Sequence, residues 1–193
     1  MNKMFKINYR IVDDFEVLRS LTKEEFDQEY DQIIGDFQIC FGDHLEGSYY
    51  HENPLVNGEE GDELLDYWFE QILQVIIVLD QGSEYVAIKE IETVNRLIEF
   101  VRKEEKVLIN VAIDDTNNSS LLITEKHSFS YIEPLDFVIP YNELKLQVLE
   151  VTRNFLSDLE KINSCLCSTE VGKMINHKYT TIMKSGKEES GLL

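Results

Sequence analysis

Apolar residues recur at every second position at Phe5, Ile7, Tyr9 and Ile11, which puts them on one face of an amino-terminal β-strand. Thr22 followed by Glu25 has the spacing of a capping box, in which the hydroxyl accepts an amide one turn on and the carboxylate reaches back. It predicts an acidic helix from Lys23 to about Ile34, ended near Gly35. Phe37, Ile39 and Phe41 alternate with Gln38 and Cys40 in a second strand, and the polar, aromatic stretch from Gly42 to Asn57 reads as a long hairpin or loop. Residues 57–62 form a turn cluster with Asp62 as N-cap of a helix reaching about Leu79. Within it Leu65, Trp68, Phe69, Ile72, Leu73, Ile76 and Leu79 fall three and four apart, the broad apolar stripe of a central core helix.

Downstream the period returns to two. Strands are predicted at Glu84 to Ile91 and at Arg96 to Arg102 and Lys106 to Asp114 as a hairpin; a polar loop from Asp114 to Ser120 then leads to Leu121, Leu122 and Ile123, and Tyr131 to Ile139 reads as a last strand. Pro140 then opens a helix to about Asn163, with Leu144, Val148, Val151, Phe155, Leu159 and Ile162 on one stripe. Past Asn163 the apolar period fades, so residues 164–193 read as a weakly structured carboxyl-terminal extension, disordered from Ser185. The predicted fold is α+β, a single domain over residues 1–163 with a mainly antiparallel sheet packed against two long helices at about 62–79 and 141–163.

Composition is compatible with one core, because 193 residues at 43% apolar content can bury about two-thirds of the unfolded surface. Pro54, Pro134 and Pro140 all sit beside apolar residues and mark no linker. No apolar run is long enough for a signal segment or a membrane span, and Cys40, Cys165 and Cys167 are an odd set that suits reduced thiols. A cytoplasmic location is expected.

Charge changes the picture more. The chain carries −19, and residues 164–193 are at +1, so the first 163 residues hold −20. From Glu24 to Ile88 there are 17 Asp and Glu and no Lys or Arg. Such a surface repels nucleic-acid phosphates and anionic membrane faces and favours a basic protein partner. The residues expected to meet that partner are Asp43, Glu46, Glu52, Glu59 and Glu60, with Tyr49 and Tyr50 as aromatic anchors.

Catalytic chemistry is harder to find. His44 and His51, with Asp43, Glu46 and Glu52, are of ligating type and define an alternative reading as a metal-dependent enzyme, but their spacing matches neither a helical zinc motif nor a calcium loop. Cys165 and Cys167 lie two apart and need further ligands to hold a soft metal. A nucleophile elbow and a glycine-rich phosphate cradle are both lacking, so no catalytic residue, metal or cofactor is nominated. A third reading is a structural subunit whose core helix is completed by oligomerisation; the oligomeric state is open.

The runs Asp36 to Gly42, Gly61 to Leu73 and Glu84 to Ile88, in strand, helix, strand order, resemble small acidic immunity proteins and their uncharacterised relatives from bacterial polymorphic-toxin systems. The likeness extends over roughly residues 36–114. It implies a protein without catalytic activity that neutralises a basic toxin by tight binding.

Overall fold

The computed structural model describes residues 4–49, 61–90, 95–116, 120–131 and 137–190. Strand β1 (Phe5–Ile11) pairs antiparallel with β2 (Ile34–Phe41), Ile7 opposite Ile39 and Tyr9 opposite Phe37. On the other edge of β2 lie β3 (His44–Ser48) and the two-residue β4 (Glu63–Leu64). The core helix α3 (Leu65–Asp80) leads to a second antiparallel sheet. It is built from β5 (Tyr85–Lys89), β6 (Arg96–Lys103), β7 (Lys106–Ile113), β8 (Leu122–Ile123) and β9 (Phe137–Pro140), in the order β8-β5-β6-β7-β9. Helices α4 (Tyr141–Ile162) and α5 (Glu170–Ser190) follow. The architecture is α+β, as the alternating periods predicted, with two sheets where one was expected.

One hydrophobic cluster joins the inner faces of both sheets to the three long helices. Trp68 stacks on Phe37 with ring centroids 5.0 Å apart, and Phe69 stacks on Phe155 of α4 at 4.2 Å. Helix α4 runs antiparallel to α3, since Tyr141 and Lys145 both reach Asp80 while Phe155 meets Phe69. Helix α5 runs parallel to α3: Lys178 bonds Gln74, and Ser185 donates to Asp80. The extension expected beyond residue 163 is therefore packed into the fold over residues 164–185, and positions 191–193 are outside the described residues. Leu166, Ile175 and Ile182 are buried in the shared core, on a seam one residue wide that leaves little periodic signal.

Other differences are local. The predicted helix over 23–34 is one turn, α2 (Lys23–Glu25), that widens into a π-turn at Phe26–Tyr30 and stops where Asp31 turns left-handed at φ 54°. Gly35 is not its terminator but lies inside β2, between Ile11 and Glu63. A Cβ there would stand 2.1 Å from the Arg10 carbonyl oxygen, so the strand needs glycine for close approach rather than for a turn. An unpredicted short helix, α1 (Phe15–Ser20), is capped by Asp14, which accepts from the amides of Glu16 and Val17. Asp62 does not cap α3; pairing of Glu63 and Leu64 with β2 delays the helix to Leu65, whose amide donates to the Ile33 carbonyl. Of the predicted last strand, the stretch from Phe137 to Ile139 lies in β9, Tyr131 stands outside it, and positions 132–136 are outside the described residues.

Candidate functional site

The anionic surface is concentrated where the chain turns between β1 and β2. Asp14, Glu16, Glu24, Glu25, Glu29 and Asp31 are exposed there, with Arg19 and Lys23 the cations among residues 13–31. Their positions follow from local chemistry: Asp14 caps α1, and Thr22 and Glu25 form the predicted capping box, which holds the Glu25 carboxyl below the ordinary carboxylate range. Lys23 is bound to Asp27 one turn on, and Asp27 also accepts from the Glu170 amide. Asp13 accepts from the Tyr30 hydroxyl at 2.7 Å, and burial, then this bond, push the Tyr30 phenol up to about 12. On α3, burial raises the Asp66 carboxyl, and the nearby charges of Asp31 and Glu70 add to the rise.

The residues singled out in the sequence are distributed differently. Asp43 is exposed at the turn between β2 and β3, beside Gly42 at φ 67°. Tyr49 is half-buried at the end of that hairpin. Tyr50, His51, Glu52, Glu59 and Glu60 lie outside the described residues. Glu46 faces inward: it pairs opposite Ile39 on the core side of β3, while Leu45 takes the outer side. Only 2% of it is exposed, and its carboxylate receives a two-point bond from Arg96 on β6, with Nε at 2.8 Å and an Nη at 2.5 Å. His44 bonds the same carboxylate, and Glu90 lies 3.7 Å from Arg96. Burial opposes the charge on Glu46, yet Arg96, Glu90 and His44 together hold its carboxyl at about 2. The arrangement ties the first sheet to the second. No group of three or more His, Cys, Asp or Glu among the described residues is arranged to hold a metal ion.

A second polar centre, not foreseen, lies on the outer face of the second sheet. Glu99 stands in mid-strand, wholly buried, and accepts from the Tyr131 hydroxyl at 3.0 Å to both oxygens, with Lys126 Nζ 3.3 Å away. Nearby, Lys89 pairs with Asp114 at 3.2 Å, both buried, and Thr116 donates to Asp114. These groups fix residues 120–131 as a strap across the sheet, with Ile123 and Phe129 packed on Tyr85, Ala87, Leu97 and Ala112. Glu99 shares its strand face with Leu97 and Val101, and the strap that covers it carries no period of its own. Its carboxylate is filled by the strap's own donors.

A shallow groove of about 460 Å³ flanks the anionic corner between β1, α1 and the end of α4. Tyr9, Ile11, Phe15 and Ile162 supply its apolar walls, and the Tyr9 hydroxyl donates to Asp158 at 2.6 Å. Burial, with Asp158 second, raises the Tyr9 phenol above its ordinary range. Among the described residues no helix is long and apolar enough to cross a membrane. No protein-family model, curated protein or solved structure matches this chain.

Proposed function

We propose that this chain is a non-enzymatic binding protein that sets its anionic surface against a basic protein, and that the partner is a toxin which it neutralises as an immunity protein. The observation that carries the reading is the corner at residues 13–31, which exposes six carboxylates against two cations, one of which, Lys23, is already held by Asp27. Such one-signed surfaces speed the encounter with basic proteins and reject acidic ones. The strand-helix-strand likeness to immunity proteins supports the same reading. The three cysteines, none in a disulfide, support the cytoplasm as its compartment.

Co-purification from the native cell at low salt, with identification of what is bound, tests this. A basic protein is expected, and its association rate with the purified chain should fall at least about tenfold between about 50 and about 500 mM salt. The combined variant Glu16→Gln, Glu24→Gln, Glu29→Gln, Asp31→Asn should slow association while leaving thermal stability nearly unchanged. Recovery of no basic protein, or a rate indifferent to salt, overturns the reading.

A further inference from the structure

We propose that Glu99, Tyr85 and Tyr131 form a cage for a lysine ammonium of the basic partner, and that Lys126 of the strap fills this cage in the free chain as an internal stand-in; this rests on the function proposed above. The geometry is that of an ammonium site already in use. Lys126 Nζ lies 3.3 Å from a Glu99 oxygen and 5.9 Å from the ring centroids of both Tyr85 and Tyr131. A cation between a carboxylate and two aromatic rings is held by charge and by the ring quadrupoles together. The same arrangement disfavours a guanidinium. Tyr131 donates to both Glu99 oxygens at 3.0 Å, so it occupies the edge on which an arginine fork would form its paired bonds, whereas a compact ammonium needs one oxygen.

Three observations make the occupant exchangeable. The Glu99 side chain is wholly buried but that of Lys126 is 54% exposed, so the cation enters the cage from solvent. A shallow depression of about 820 Å³ beside it, lined by Thr116, His127 and Ser128, leaves room for the side chain to swing aside. Second, Thr124, Glu125, His127 and Ser128 are exposed and make no hydrogen bond among the described residues. Lys126 is thus the tie between this part of the strap and the sheet, while Ile123 and the Ser130 bridge to Ile113 hold its two ends. Third, the Tyr85 hydroxyl is buried without a hydrogen-bond partner, and burial, then the charge of Glu99, raises its phenol above the ordinary range. An oxygen that Lys126 does not use therefore stands near the carboxylate. Replacing one ammonium by another keeps Glu99 paired, so the exchange avoids the cost of a buried, unanswered charge.

The probe is a capped Gly-Lys-Gly peptide, compared with the same peptide carrying norleucine or arginine at its centre and with n-butylamine, each titrated into the isotope-labelled full chain and followed by NMR. In the parent chain Lys126 competes at an effective concentration on the order of millimolar, so Lys126→Ala should raise the affinity of the lysine peptide at least about tenfold. Shifts are expected at Tyr85, Glu99 and Tyr131, with weaker binding of the arginine peptide and none of the norleucine peptide. Added to Lys126→Ala, Glu99→Gln should abolish the gain; Tyr131→Leu should do the same at an exposed position, which keeps the test independent of whether the buried site tolerates replacement. Equal affinity of the parent and Lys126→Ala chains, equal binding of the three peptides, shifts centred elsewhere or no binding at all overturns the proposal. Binding of n-butylamine without binding of the lysine peptide would assign the cage to free amines and overturn it too. A basic protein that co-purifies while the peptide fails leaves the anionic-surface function standing, whereas recovery of no basic protein overturns that function whatever the peptide does.

Discussion

Loss of the Arg96 guanidinium would leave Glu46 buried at the seam between the two sheets without its two-point donor. Removing one member of a buried ion pair costs more than the pair contributed, because the remaining charge is desolvated and unanswered. Arg96→Ala should therefore lower stability by about 2 kcal/mol, measured by urea unfolding at neutral pH. The pH dependence supplies a second signature. The folded-state value of Glu46, about 2, is below the ordinary carboxylate value of about 4.3, so its contribution is present above that ordinary value and is lost as pH falls toward 2. Without Arg96 the decline in stability across that acid window should be shallower than in the parent chain; an unchanged slope would show that Glu46 is not held by this pair. None of this was legible in the sequence, where Glu46 reads as one more acid of a polar loop. Its partner lies fifty residues away on another sheet, and only the register of β3 turns the side chain inward.

Among the elements, legibility followed the width of the buried face. α3 was readable because seven apolar positions form a stripe broad enough to dominate any window, and the capping box because both partners are three residues apart. β4 was not, being two residues whose role is to add Glu63 and Leu64 to a strand thirty residues earlier. α5 was missed because its deepest contacts are only Ile175 and Ile182, seven residues apart among polar neighbours. That narrow seam nevertheless closes one side of α3, so Ile175→Ala and Ile182→Ala should each cost about 2–4 kcal/mol in chemical unfolding. A loosely attached tail would give values near zero. Of the candidate surface, the acid-rich composition was visible from the start, but its densest described patch includes Asp14 and Glu16, upstream of the block that lacks cations.

At the scale of the whole molecule, a charge of −19 on 193 residues means that compact packing brings like charges together. Ion pairs such as Lys145 with Asp80 and Lys178 with Glu70 offset only part of this repulsion. Screening should relieve the rest, so the melting temperature is expected to rise with sodium chloride over the range in which the Debye length shrinks from about 30 to about 3 Å. A melting temperature that falls with salt would mean that the ion pairs outweigh the repulsion. Salt would thus strengthen the fold while slowing the proposed encounter with a basic partner.

The parallel docking of α5 on α3 has a temporal side. During synthesis α3 leaves the ribosome roughly ninety residues before α5 begins to emerge, and the face that Ile175 and Ile182 will cover stays open meanwhile. The nascent chain is most exposed to misassociation in that interval, and the portion already translated is its most acidic portion. Mutual repulsion between neighbouring nascent chains would then keep them apart until the last helix arrives, giving the charge a duty in biogenesis before any partner is met.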